Sequence, residues 1–377
     1  MKTAAIICEY NPFHMGHKYQ IEATRRAGAT HIVCIMSGDI VQRGELALYS
    51  KHGRAEMALA NGADLVIELP PPYSCGTAGD FARAGVQIAR DLGCVDLLSF
   101  GAECEDIARL TDCARALKNA EALDLSEYLT AGLTYPAALS KVIGDEFSEL
   151  LTGANNTLAL EYIKNLLATD IKPLAIKRTT PHDGDTPTDC YASASYIRGK
   201  ILLGEPVEGL VPCDLPANHA RMKTVENAII FRLLTMSPEE LSQAPYMSDG
   251  VAQRVYEALK SAATLEDIYT YAKTKNVTHA RVRRAVLLSA LGVKAEDMSK
   301  PVAYSRILAC NSRGREVLTC CKATASIALS SSLASLESLS EEAKRQAGLE
   351  VLCSQLRAMA AGEVRQNEYT RKFAVKG

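Results

Sequence analysis

An α/β protein, with a doubly wound parallel sheet and a second, mainly α-helical C-terminal domain, is what this sequence predicts. Three observations carry the prediction. Short apolar runs recur through the first 100 residues: TAAIICE (3–9), THIVCIMSG (30–38), DLVIELP (64–70) and VDLLSF (95–100). Helical patterns at about 17–28, 50–61 and 77–92 separate them. The runs are continuously apolar rather than alternating, as expected of strands covered on both faces, and strand–helix–strand repetition implies parallel crossovers. The result is a Rossmann-like sheet whose ligands bind beyond the carboxyl ends of the strands.

Taken in order, the first run ends at Glu9 and enters a Pro- and Gly-broken turn, YNPFHMGH, before a helix expected to begin near His17. The second run leads into GDIVQRGE (38–45), on the same rim, and then into the helix 50–61. Residues 104–170 read mainly as helix, KPLAIKR (172–178) as a fifth strand, and TTPHDGDTPTDC (179–190) as a polar loop. A short helix in ASASYIRGKILLGEP stops at Pro206, and Gly209, Pro212 and Pro216 mark a linker, separating a domain 1–205 from a domain 216–377. The second domain shows 3–4 spacing in VENAIIFRLLTM, GVAQRVYEALKSA, LEDIYTYAKTK and HARVRRAVLLSALG. In the serine-rich SIALSSSLASLESLSEEAKRQA, leucines 329, 333, 336 and 339 share one helical face, which predicts a continuous helix.

The chain has 377 residues, 47% hydrophobic and 23% charged, an ordinary globular composition. No apolar run approaches the roughly 20 residues of a membrane span, and MKTAAIICEYNPF lacks the pattern of a signal peptide. A cytoplasmic protein is expected, with neither a membrane nor DNA as partner. The twelve cysteines are scattered without a C-x-x-C pair, which argues for reduced, mostly buried thiols and against zinc; no protein metal site is expected. Residues 201–377 carry 23 Lys and Arg against 19 Asp and Glu, a mild basic excess that suits an acidic partner such as RNA.

The turn after the first strand lies where nucleotide-binding folds present a phosphate loop. It contains neither G-x-G-x-x-G nor G-x-x-x-x-G-K-[ST] but H-x-G-H, residues 14–17. Imidazole donors at His14 and His17 suit a phosphorus centre that gains negative charge during displacement, and Gly16 leaves room for a nucleotide beside the backbone. A second stretch, ASASYIRGK (192–200), resembles the I-S-S-T-x-I-R signature of nucleotidylyltransferases, with Ser193, Ser195, Ile197 and Arg198 in register and alanines at 192 and 194. Hydroxyls and N–H groups at a helix start, with an arginine, suit a leaving pyrophosphate.

CEYNPFHMGH, SGDIVQRGE, SKHGRAEMALANGADLVIELP, VDLLSFGAE and ANNTLALEYIKNL together resemble the bacterial tRNA(Met) cytidine acetate ligase family, a branch of the HIGH-type nucleotidylyltransferases. The likeness is dense through about residue 200 and looser beyond it. It implies ATP-dependent activation of acetate to acetyladenylate, release of pyrophosphate, and acetylation of N4 of the wobble cytidine of elongator tRNA(Met). It further implies that ATP is held by the segment Ile7, Cys8, Glu9, Tyr10, Asn11, Pro12, Phe13, His14, Met15, Gly16, His17, Lys18, Tyr19 and Gln20, by Gly101, by Asn155 or Asn156, and by Arg178. The family's P-N-N is Ala154-Asn155-Asn156 here, and its S-G-N is Ser37-Gly38-Asp39. Acetate is already ionised at neutral pH, so activation needs positioning and charge stabilisation rather than a base; Mg²⁺ is expected to ride on the ATP phosphates.

The remaining candidates are less specific. Gln42 and Arg43 are placed to orient acetate or the target base, and Lys51, Arg54 and Glu56 read as solvated or tRNA-facing charges. Arg281, Arg283 and Arg284 form a cluster suited to tRNA phosphates, with a basic tail at Arg365, Arg371, Lys372 and Lys376. Tyr10, Phe13 and Tyr73 are candidates to stack on a flipped base. EDMSKP (296–301) echoes the K-M-S-K-S loop of tRNA synthetases, but Asp297 stands where its leading lysine would be. The competing functions are a small-metabolite adenylyltransferase and a catalytically silent RNA-binding module. The second domain argues against the former, and the intact histidines against the latter.

Overall fold

The computed structural model describes residues 1–375 apart from 121–122, 124–127, 129–134 and 178–189. Its centre is a sheet in the order Ala374–Val375, Tyr304–Cys310, Leu65–Leu69, His31–Ser37, Thr3–Cys8, Leu97–Ala102 and Lys172–Lys177. Strands β1 (Thr3–Cys8), β2 (His31–Ser37), β5 (Leu65–Leu69), β6 (Leu97–Ala102) and β7 (Lys172–Lys177) run parallel. Each matches an apolar run of the sequence, and β1 and β2 are buried throughout. Residues between β2 and β5 add a small antiparallel hairpin, β3 (Ile40–Val41) with β4 (Glu45–Leu46).

Strands are added outward on one side through β2 and β5, then on the other through β6 and β7. The order therefore reverses between β1 and β6, the switch point at which such sheets leave a crevice. Helices α1 (Met15–Arg26) and α2 (Lys51–Ala60) and helix Ala194–Leu203 share one apolar core, which includes Ile21, Met57 and Ile197. Helices α3 (Ala78–Asp91) and α4 (Ile107–Ala120) and helix Ala154–Leu166 form another, with Phe81, Ile88, Leu110 and Leu160. A Cβ at Gly85 would lie 2.6 Å from Ile7 Cδ1, so this glycine brings α3 hard against the end of β1.

Beyond residue 216 the chain builds a helical core around Ile229, Leu233, Val255, Ile268 and Val286, but it does not stay apart from the sheet. β8 (Tyr304–Cys310) pairs antiparallel with β5, and β9 (Ala328–Ser330) and β10 (Ala374–Val375) pair parallel with β8. The continuous helix expected over the serine-rich stretch is absent. It divides into β9, helix Leu333–Glu337 and helix Glu341–Ala360, because Ser332 and Ser340 each cap a new helix start with the side-chain hydroxyl. Leu333 and Leu336 are buried, whereas Leu339, in the break, is exposed.

A charged cluster joins the returning segment to the sheet. Lys51 Nζ donates to Glu68 Oε2 at 2.7 Å and Glu350 Oε2 at 3.3 Å, and Arg306 Nη1 donates to Glu368 Oε2 at 2.6 Å. All five side chains are at most 1% exposed. Lys51 is thus no solvated charge: it clasps β5, helix Glu341–Ala360 and the segment before β10.

Candidate active site

The loop after β1 is held from several directions. Tyr10 adopts φ 48°, a conformation costing roughly 1–3 kcal/mol for a non-glycine residue. Burial of its ring sustains it: the hydroxyl lies 3.3 Å from Cys34 Sγ, and the ring packs 4.8 Å from those of Phe13 and His17. Asn11 Oδ1 accepts from Leu48 N at 2.9 Å, and Asn11 O accepts from Arg198 Nη1 at 2.8 Å. Arg54, completely buried, donates to the carbonyls of Glu9, Gly38 and Tyr49 and so ties the end of β1 to the end of β2.

The histidines build the start of α1 together. The helix begins at Met15 rather than His17, with His14 as its N-cap. His14 Nδ1 accepts from Gly16 N at 3.1 Å, while His17 Nδ1 accepts from His14 N at 3.3 Å. This is a reciprocal cap in which imidazoles replace the usual hydroxyl and carboxylate. A nitrogen that accepts carries no proton, so each neutral ring carries its proton on Nε2. The rings stack with centroids 3.7 Å apart, and both line one cleft. Gly16 is needed here because a Cβ would sit 2.9 Å from His14 Cε1, a tighter reason than room for a nucleotide.

The cleft, about 190 Å³, opens at the switch point. Of the residues expected at the site, Ile7, Cys8, Glu9, His14, His17, Gln20, Gly101, Asn155 and Ser195 line it, as do Gln42 and Arg43. Gln20 also donates to Ser99 O on β6. The two asparagines part company. Asn156 Oδ1 accepts from the N–H groups of Glu103 and Cys104 and fixes that loop, whereas Asn155 reaches the cleft and donates to Glu103 Oε1 at 2.6 Å. Sequence reasoning missed Phe81, Phe100, Leu158, Tyr162 and Ala194, which complete the lining; their apolar spacing signals only helix and strand cores.

The other expected residues stand back. Tyr10, Asn11 and Phe13 are buried in the loop, where cis Pro12 follows Asn11. Met15 N donates to Leu210 O, Lys18 is half-buried on α1, and Tyr19 packs edge-on against Tyr191 at 6.0 Å. Ser193 Oγ caps helix Ala194–Leu203 by accepting from Tyr196 N. Arg198, expected on the pyrophosphate, spans from Ser195 Oγ to Asn11 O. Arg178 and Lys376 lie outside the described residues.

Burial raises the Glu9 carboxyl above its ordinary range, opposed by the hydrogen bond from Gln42 N and by the charges of Arg198, Arg43 and Arg54. Among the described residues no group of three or more His, Cys, Asp or Glu is arranged to hold a metal ion. A larger cavity of about 250 Å³ between Pro71–Tyr73 and helix Glu341–Ala360 is lined by no residue of the loop between β1 and α1.

One expectation about nucleic acid is corrected. Tyr10, Phe13 and Tyr73 are all at least 96% buried, so none is presented for stacking. Arg281, Arg283 and Arg284, expected to face tRNA, also make bonds within the molecule: to Asp249 and Ser248, to Glu45, and to Gln42 O. Arg283 and Arg284 attach helix His279–Ala290 to the β3–β4 hairpin, and the close approach is set by Gly44 (φ 75°), where a Cβ would lie 2.5 Å from Arg284 N.

A reversed-order parallel sheet with a histidine-capped helix at its switch point defines a HIGH nucleotidyl transferase, and that family's pattern matches residues 1–372. Two relatives narrow the assignment. The tRNA(Met) cytidine acetate ligase of Acetivibrio thermocellus is 33% identical over 394 aligned positions, covering 95% of each chain. That of Staphylococcus haemolyticus is 34% identical over 84% of this chain and 86% of its own. The chain belongs to the tRNA(Met) cytidine acetate ligase family. Thermotoga maritima TmcAL superposes on it with a TM-score of 0.91 in the apo form (25% identity) and 0.89 bound to α-thio ATP (26%), each covering 100% of this chain and 99% of that one.

Proposed function

We propose that this protein activates acetate with ATP and transfers the acetyl group to N4 of the wobble cytidine of elongator tRNA(Met). The observation that carries the reading is the pair of stacked imidazoles, each with Nδ1 used as a cap acceptor and its proton therefore on Nε2, lining a cleft at the β1/β6 switch point. Donors fixed before the reaction stabilise charge developing on the α-phosphate without reorganising. Asn155 and Gly101 support a nucleotide site at one side of the cleft, and Ser195, at the start of helix Ala194–Leu203, supports a pyrophosphate site. Arg198, clipped to Asn11 O, acts by holding that helix to the catalytic loop and by its charge.

In the first step an acetate oxygen attacks the α-phosphorus, an O–P bond forms, and the bond to pyrophosphate breaks. In the second the cytidine amine attacks the acyl carbon, its C–O bond to AMP breaks, and the amine loses a proton. Magnesium fits only as a passenger of the phosphates, since Glu9 is the one carboxylate among the described lining residues. The free thiols of all twelve cysteines suit a reducing, cytoplasmic setting.

ATP–pyrophosphate exchange tests the reading. Exchange that requires acetate supports it; exchange that requires another acceptor points to a small-metabolite adenylyltransferase, and no exchange at all would refute activation.

A further inference from the structure

We propose that the Tyr162 hydroxyl receives the acetate carboxylate in the floor of the cleft, with the acetate methyl against the rings of Phe81 and Phe100. This rests on the acetate-activating reading and names the subsite that reading needs.

Tyr162 is 2% exposed and lines the cleft, yet its hydroxyl has no hydrogen-bond partner. A buried hydroxyl left unpaired costs about 1–3 kcal/mol, and native structures retain such groups where something else supplies the partner. Cys8 and Glu9, at the end of β1, line the same cleft as Tyr162. Burial, and after it these two neighbours, holds the phenol well above its usual range; it remains a donor at any physiological pH.

The surroundings fit a small carboxylate with a methyl group. Phe100 packs on Tyr162 with centroids 5.8 Å apart and fixes its ring. Phe81, Phe100, Leu158 and Ile7 give an apolar wall. Arg43 lines the same cleft, a cation within the site that also opposes the charge of Glu9. Helix Ala154–Leu166 carries Asn155 and Tyr162 seven residues apart, about 10 Å along the axis, which separates a nucleotide contact from an acid contact on one rigid element. The buried Tyr304 hydroxyl differs: it sits beside Glu350 in the sealed charge cluster and lines neither cavity.

The test is Tyr162→Phe in acetate-dependent ATP–pyrophosphate exchange. Loss of one hydrogen bond to a charged group should raise the acetate KM about tenfold or more, with the ATP KM within about twofold. Thermal stability should not fall, because the hydroxyl that is removed holds nothing in the protein. An unchanged acetate KM, or equal rises for both substrates, would overturn the subsite while wild-type acetate dependence leaves the function standing. Absence of acetate-dependent exchange in the wild type would overturn both.

Discussion

Two regions of the same sheet use polar side chains in opposite ways. At the end of β1, the His14 and His17 rings, the Tyr162 hydroxyl and the start of helix Ala194–Leu203 surround a cavity. Between β5 and β8, Lys51, Arg306, Glu68, Glu350 and Glu368 close on one another with no cavity between them among those described. There burial and the Glu350 charge push the Glu68 carboxyl up. The first arrangement faces an open space and the second closes on itself. An unpartnered polar atom therefore points to a substrate only where it meets an open space.

The comparison is broken most severely at Lys51. Lys51→Ala leaves three carboxylates without their shared ammonium and should destabilise the fold by about 3–5 kcal/mol, read by urea unfolding. A loss below about 1 kcal/mol would make the clasp no stronger than a surface pair. His17→Ala should lower acetate-dependent exchange by about 10²–10³-fold, while tRNA affinity stays within a few-fold; exchange at the wild-type rate would remove that histidine from the mechanism. Gly44→Ala forces a side chain at positive φ against the Arg284 backbone and should cost more than about 1 kcal/mol. It should also slow acetyl transfer by displacing Gln42 and Arg43, and a variant of wild-type stability would show that the hairpin and helix are not tightly apposed.

The smallest effect concerns pH. His52 Nε2 lies 3.2 Å from Glu368 Oε2, its Nδ1 has no partner, and burial lowers its pKa below the ordinary 6.5. As pH falls below about 6.5 the unfolded chain takes up a proton that the folded one refuses, so stability declines, by at most about 1.4 kcal/mol per pH unit. His52→Gln should flatten the pH 5–7 part of the stability curve. An unaltered slope would assign the acid sensitivity elsewhere.

The five parallel strands were legible because each is a mainly apolar run set in a strand–helix rhythm, and the catalytic turn because His14 and His17 are three residues apart. β8 was not: it stands among helical patterns outside that rhythm, and only tertiary pairing with Glu368 makes Arg306 a core residue. Lys51 and Glu350 are 299 positions apart, so nothing local distinguishes a clasp from solvated charge. Arg54 was misread in the same way. The capping serines at 332 and 340 could have been read, since each precedes a fresh helical start. Tyr162 could not, because an apolar helix face looks the same over a core and over a substrate.

The most direct test of acetate activation at the histidine cleft follows oxygen. With acetate labelled with ¹⁸O at both carboxyl positions, attack on the α-phosphorus and later cleavage of the acyl C–O bond should leave one labelled oxygen in the released AMP. The acetylated tRNA keeps the other. Unlabelled AMP, or label in pyrophosphate, would contradict the account.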